Sequence, residues 1–169
     1  MNNEVQLQEV KAMEPQILEE LAELLINVVE DGASIGFLSP LSKDDAREYW
    51  KEAIAPGVIV LIAKVNGKIV GTIQLQMEMK ENGSHRAEVA KLMVETTYRR
   101  NGIAKLLMAA IEEIAKLAGR SLLVLDTRLG DHSNYLYRSM EYIEAGQIPK
   151  YAKSSNGNLD TTVFYYKEI

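Results

Sequence analysis

A basic segment with one glycine, residues 98–105, has the residue types best suited to holding an anion. Arg99, Arg100 and Lys105 supply positive charge, and Gly102 allows the backbone to turn sharply. A helix that begins just after the glycine would present free backbone N–H groups and the positive end of its dipole to the same point. Together these features predict a binding site for a phosphate group.

The elements on either side of this turn are predicted to form a strand, helix, strand unit. The helix is predicted from an apolar stripe at helical spacing, with charged residues opposite, including an i,i+4 pair of Glu112 and Lys116. Residues 87–94 precede the turn as a strand, and residues 121–126 form the short apolar run typical of a buried parallel strand. The turn lacks the spacing of a P-loop and the G-x-G-x-x-G of a dinucleotide site. Nucleotide hydrolysis and hydride transfer are therefore disfavoured.

The turn resembles the R/Q-x-x-G-x-G/A signature of the GNAT N-acetyltransferase superfamily, which Arg99, Gly102 and Ala104 match. The resemblance implies acetyl-CoA as co-substrate, with its pyrophosphate on the backbone N–H groups of the turn and its pantetheine arm along the preceding strand. The cofactor-binding residues implied in this way are Leu92, Met93, Val94, Arg99, Arg100, Asn101, Gly102, Ile103, Ala104 and Lys105.

Acetyl transfer to an amine needs a base for the amine and an acid for the departing thiolate. The resemblance implies Glu88, eleven positions before Arg99, as a general base acting through water, and Tyr137, in a Y-L-Y-R segment, as the acid. A phenol with the ordinary pKa of about 10 is protonated at neutral pH. Asp126 ends a strand and is an alternative base or an orienting group for an ammonium. Each residue also has a structural interpretation: an ion-paired surface glutamate, a tyrosine packed on the sheet and a carboxylate that caps a turn.

Three further segments look like the tabtoxin-resistance branch of the superfamily. They are E-V-A-K-L-M-V at 88–94, L-D-T-R-L-G-D at 125–131 and I-P-K-Y-A at 148–152. That resemblance implies a small, amino-acid-like amine as acceptor, and the acidic, glycine-bearing loop 30–37 is the predicted contact for a cationic one. Two alternatives stay open: acetylation of a protein or peptide N-terminus, and a CoA-binding module without turnover.

Composition narrows the function further. The 169 residues, 47% hydrophobic and 25% charged, suit one GNAT acetyltransferase domain over residues 1–169. The absence of cysteine and the presence of only two histidines argue against a thiol nucleophile and against a metal site. A net charge of −5 argues against nucleic acid as a partner, and no apolar run is long enough to span a membrane. We therefore expect a cytoplasmic enzyme with a small-molecule partner, and the family resemblance adds a possible homodimer through the late strands.

Periodicity and turn signals predict the remaining elements. The fold class is α/β with an α+β mixed sheet, in the GNAT-like acyl-CoA N-acyltransferase order β-α-α-β-β-β-α-β-α-β-β. Besides the helix after the basic turn, helices are predicted at 16–29, after the capping box that begins at Ser42, and at 133–140. The predicted strands are 5–10, 58–65, 68–78, 86–94, 121–126, 142–148 and 161–167.

Overall fold

A seven-stranded mixed sheet runs through the protein, described by a computed structural model that covers residues 4–169. The strands are β1 (Gln6–Glu9), β2 (Val58–Val65), β3 (Lys68–Met77), β4 (Arg86–Val94), β5 (Leu122–Arg128), β6 (Ile143–Lys153) and β7 (Leu159–Glu168). The helices are α1 (Pro15–Glu30), α2 (Lys43–Glu52), α3 (Ile103–Leu117) and α4 (Ser133–Ser139), with short 3₁₀ turns at Glu81–Gly83 and Thr96–Tyr98. The predicted fold class and element order are confirmed.

The strands lie in the order β1-β2-β3-β4-β5-β7-β6, and only the β4–β5 pair is parallel. The predicted sixth strand ended at Ile148, but β6 continues to Lys153. Its pairing with β7 shifts register between Ile148 and Ala152, where Lys150 has a φ of 55°. A bulge of this kind lets the strand continue beyond Pro149, which has no N–H for a ladder hydrogen bond.

Helices cover the two faces of the sheet unequally. The apolar stripe of α3 packs against one face, and its residues Leu107, Met108 and Ile111 are fully buried there. On the other face α1 and α2 pack over the first half of the sheet, around Trp50 and Ile62. The apolar stripe that predicted α3 is therefore its sheet-facing side.

The expected pair of Glu112 with Lys116 does not form. Glu112 is only 7% exposed, and its Oε2 accepts a hydrogen bond from Nζ of Lys167 on β7 at 2.9 Å. Lys116 pairs instead with Glu113 at 2.8 Å. The prediction was wrong because Glu112 lies at the margin of the buried stripe, where a lysine from a distant strand reaches it.

Strands β4 and β5 separate soon after they meet. Their parallel pairing extends only from Arg86 opposite Leu122 to Glu88 opposite Val124. Farther along, β4 bulges: its register with β3 shifts, and Lys91 has a φ of 56°. The two strands thus leave an opening at their carboxyl ends, beside the start of α3, and such an edge of a mixed sheet is a common ligand site.

Candidate active site

The basic turn at the start of α3 has the geometry of an anion cradle. Arg100 and Gly102 both have positive φ, 63° and 78°, so the backbone reverses sharply before the helix. The first hydrogen bond of the helix runs from the N–H of Leu106 to the carbonyl of Gly102, at 3.0 Å. The N–H groups of residues 103–105 have no acceptor within residues 4–169 and are available to a ligand.

Space and rigidity at this turn also suit a phosphate. A Cβ placed on Gly102 would meet no atom within 4 Å, so the space in front of the turn is open. The side chain of Asn101 stabilises the turn, because its Nδ2 donates to the carbonyls of Tyr98 and Arg99 at 3.1 and 3.3 Å. The turn therefore fits the pyrophosphate that the family resemblance implied there.

Close packing fixes the first turn of α3 on β3. A Cβ on Gly71 would lie 3.1 Å from Cδ1 of Leu107, 3.2 Å from Cγ2 of Ile103 and 3.1 Å from the carbonyl of Met93. A larger residue at this position would push the helix start and the sheet apart by a few tenths of an ångström.

Within the predicted pantetheine segment, Met93 is 2% exposed and packs into the core beneath α1 and α2. Leu92 and Val94 lie at the edge of the opposite core and are half-buried. A ligand along this part of β4 would therefore contact the backbone of Met93 rather than its side chain.

Glu88 and Asp126 share one face of the sheet. Glu88 on β4 lies directly opposite Val124 on β5, and Asp126 follows Val124 two positions later on β5. Both carboxylates therefore project to the same side of the sheet. Both residues are accessible to solvent. Partial burial raises the pKa of Glu88, and the charge of Asp126 raises it further. Burial likewise raises the pKa of Asp126, so both carboxyl groups have the properties of a base poised nearer neutrality.

Tyr137 of α4 is almost fully buried. It is 7% exposed, and its ring packs 6.0 Å from that of Tyr142 and 5.8 Å from that of Tyr165. Burial, aided by the charges of Asp126 and Asp131, raises the pKa of Tyr137 far above the ordinary value assumed from the sequence. Its hydroxyl makes no hydrogen bond with the part of the chain that the structure describes. The phenol therefore keeps its proton at every physiological pH.

Sequence reasoning missed Lys91 as a member of this site. A regular strand would point Lys91 to the same side as Val89, against α3, but the bulge in β4 turns it to the side of Glu88. Its Nζ donates to the carbonyl of Ile35 at 2.9 Å, and burial lowers its pKa although Glu88 and Asp126 oppose that shift. The segment that contains Lys91 was noted in the sequence, but nothing local indicated that its side chain would turn.

Arg128 was also missed, and it holds the α1–α2 loop (residues 31–42) in place. Its guanidinium donates to Asp131 Oδ1 at 3.0 Å, to Ser154 Oγ at 3.0 Å and to the carbonyl of Gly32 at 2.9 Å. The same loop is tied to the basic turn, because Asp31 pairs with Arg99 at 2.5 Å. The predicted acceptor loop thus lies against both the end of β5 and the phosphate turn.

Two cavities open near these groups. One, of about 330 Å³, lies beside Glu88 and is lined by the end of β3, the start of β4 and Val124. The other, of about 210 Å³, lies between the α1–α2 loop and the end of β6, with Arg128 in its wall.

Two classes of feature are absent from residues 4–169. They contain no group of three or more His, Cys, Asp or Glu residues arranged to hold a metal ion. They also contain no helix long and apolar enough to cross a membrane.

The sequence model of the acetyltransferase (GNAT) family matches residues 26–142, more than half of the chain. The chain therefore belongs to the GNAT acetyltransferase family, as its basic turn predicted. Members of this family transfer acetyl groups, and the protein is accordingly an acetyl-CoA-dependent N-acetyltransferase. The expectations of this enzyme class and of acetyl-CoA as co-substrate are confirmed.

Individual relatives agree with this assignment. An uncharacterized N-acetyltransferase from the hisH-hisA intergenic region of Azospirillum brasilense is 27% identical over 128 residues, which are 74% of this chain and 76% of that protein. The structure is similar to that of the ribosomal-protein-alanine N-acetyltransferase of Brucella melitensis, with a TM-score of 0.83 and 20% identity over 97% of this chain and 99% of the other. It is also similar to yncA, an acetyltransferase from Salmonella typhimurium solved with its cofactor acetyl-CoA, with a TM-score of 0.80 and 15% identity over 97% and 93% of the two chains. At such identities the two structures support the fold.

Proposed function

We propose that this enzyme transfers the acetyl group of acetyl-CoA to the primary amine of a small molecule by direct attack in a ternary complex. The observation that carries the proposal is the position of Glu88 and Asp126. Both lie on one face of the sheet where the pairing of β4 with β5 ends, near Lys91, which contacts the α1–α2 loop.

Two segments of the chain, the basic turn and the end of β4, bind the donor. Bound acetyl-CoA supplies the activated acetyl thioester. The free backbone N–H groups of residues 103–105 hold its pyrophosphate, with Arg100 and Lys105 adding positive charge. The backbone of residues 92–94, free of β5, orients the pantetheine arm. No covalent enzyme intermediate is needed, and the chain contains no cysteine to form one.

The two carboxylates remove the proton from the acceptor. An ammonium cannot attack a thioester, so the bound amine must lose a proton first. Glu88 accepts that proton, directly or through water, and the raised pKa of its carboxyl makes it a stronger base than an exposed glutamate. Asp126 orients the ammonium or replaces Glu88 as base, since it faces the same opening.

Tyr137 stabilises the departing thiolate. A thiol has an ordinary pKa of about 8.5, well below that of the buried phenol, so complete proton transfer from Tyr137 to the thiolate would be uphill. We therefore assign Tyr137 as a hydrogen-bond donor to the thiolate, and solvent supplies the proton that converts the thiolate to the thiol. This differs from a simple general acid, and it follows from the burial of the ring.

The form of the site favours a small acceptor over a protein N-terminus. Arg128 and Lys91 hold the α1–α2 loop down onto the sheet. The cavity between this loop and the end of β6 has a volume of about 210 Å³, and the cavity beside Glu88 has a volume of about 330 Å³. The resemblance to the tabtoxin-resistance branch supports an amino-acid-like amine. A cytoplasmic location, where acetyl-CoA is available, and a homodimer through the late strands belong to the same proposal.

A screen for thiol release from acetyl-CoA tests this function. The panel would contain amino acids, polyamines, amine antibiotics and short peptides with free N-termini. Turnover with a small amine and not with peptides supports the proposal. Turnover with peptides alone would favour the protein acetyltransferase, and CoA binding without thiol release would favour a non-catalytic module.

A further inference from the structure

The ammonium of Lys91 lies among groups that together are suited to a cation. Besides the hydrogen bond to the carbonyl of Ile35, its Nζ lies 5.8 Å from the ring centroid of Phe37 and 5.9 Å from that of Tyr49. Aromatic faces at this distance attract a positive charge. A Cβ on Gly36 would come within 3.3 Å of the same Nζ, so the loop fits closely around it.

Charged and titratable groups face Lys91 from each neighbouring element. Glu88 of β4 and Asp126 of β5 are the two anions, and the charge of Lys91 lowers the pKa of both. Tyr49 of α2 stays neutral, because burial raises its pKa although Gln74 of β3 donates to its hydroxyl at 2.8 Å. The α1–α2 loop contributes only the Ile35 carbonyl and the Phe37 ring. With all three charged groups ionised, this cluster has a net charge of −1.

We propose that Lys91 is a positioning residue that sets the charge of the acceptor site at one net negative unit and holds the α1–α2 loop against it. This inference rests on the proposed function and names a residue that adjusts the charge of the proposed acceptor site. One net negative charge attracts an ammonium. Two net negative charges would bind the ammonium more tightly and would also raise its pKa further. Less of the bound acceptor would then be the neutral amine that attacks the thioester.

The charge argument separates this role from a purely structural one. Removing the charge of Lys91 should lower the acceptor KM and lower kcat at neutral pH, because the bound amine titrates at higher pH. A loop that merely lost its anchor would instead raise the acceptor KM and leave the pH profile where it was. The direction of change in KM therefore distinguishes the two roles.

The experiment compares Lys91→Met and Lys91→Gln with Lys91→Arg, using the best amine from the acceptor screen. For both uncharged variants we expect an acceptor KM below that of the wild type, a kcat at pH 7 reduced about tenfold, and a kcat–pH profile moved about one unit to higher pH. The arginine variant should keep the wild-type profile, because it keeps the charge. Thermal unfolding checks that each variant is folded.

Three results would overturn the inference. They are unchanged kinetics in both uncharged variants, a raised acceptor KM with an unmoved pH profile, and failure of both uncharged variants to fold, which would make Lys91 a residue of the fold alone. A wild-type enzyme that acetylates no amine would refute the proposed function itself. An active wild type with unaltered variants would refute only the role of Lys91.

Discussion

The hydroxyl of Tyr137 offers the sharpest test of the proposed chemistry. In Tyr137→Phe the ring remains to fill its place between Tyr142 and Tyr165, and only the hydrogen-bond donor is lost. A hydrogen bond to a charged group contributes about 1.5–3 kcal/mol, which corresponds to a roughly 10- to 150-fold loss of kcat. Because the thiolate forms only as the thioester breaks, the affinity for acetyl-CoA should stay within about twofold of the wild type.

Tyr142→Phe is a matched control. Tyr142 is also buried, its ring is 6.0 Å from that of Tyr137, and its hydroxyl interacts with the carboxylate of Glu112 on α3. Removing this hydroxyl changes a contact with α3 and leaves the opening between β4 and β5 intact, so the turnover of the folded enzyme should not change. The assay is thiol release over a range of acetyl-CoA and amine concentrations, with calorimetry for acetyl-CoA binding. Unchanged turnover in Tyr137→Phe, or equal losses in both variants, would refute the role of Tyr137 as thiolate donor.

Three further predictions concern the carboxylates and the ion pairs. Glu88→Gln should lower kcat/KM about 100-fold near neutral pH and remove the acidic limb of the pH profile. Glu78→Gln, a control in the same cavity, should do neither. An unaltered profile in Glu88→Gln would assign proton removal to Asp126 or water. Lys167→Met should destabilise the fold by roughly 2–4 kcal/mol in urea denaturation, because it leaves the buried Glu112 without its ion-pair partner. Adding Glu112→Leu to this variant should restore most of the lost stability. A loss below about 0.5 kcal/mol in Lys167→Met would contradict the prediction. The Arg47 guanidinium lowers the pKa of Glu19 to about 2, so this pair stabilises the fold above pH 4.5 and loses that contribution as pH falls towards 2. In Glu19→Gln the Tm should therefore decline less steeply over that pH range than in the wild type. Parallel curves of Tm against pH for the two proteins would contradict the prediction.

Local patterns were sufficient for most of the fold. The apolar stripe of α3 and the hairpin signal at Asn66-Gly67 depend on neighbours in sequence, and both elements lie where they were predicted. The shape of the basic turn was equally predictable, because a helix start, a glycine and basic residues occur within eight positions, and its binding of an anion stays a prediction.

The rest depended on contacts that no local pattern contains. Lys91 meets a loop 56 positions away, and Arg128 meets the same loop 96 positions away. Glu112 was assigned to solvent because its partner, Lys167, lies 55 positions away on β7. The bulge that turns Lys91 inward likewise arises from the pairing of β3 with β4. The sequence therefore indicated which chemistry to expect, while the contacts around the proposed acceptor site required the structure.

The close approach at Gly71 has a consequence for how the donor binds. With no side chain between β3 and the first turn of α3, the N–H groups proposed to hold the pyrophosphate are anchored to a buried part of the sheet. The cradle is thus preorganised: it loses little conformational entropy when a ligand arrives, and its ordering is supplied by folding instead. If the α1–α2 loop contacts the acceptor as proposed, changes in that loop can alter acceptor preference while the donor site stays the same.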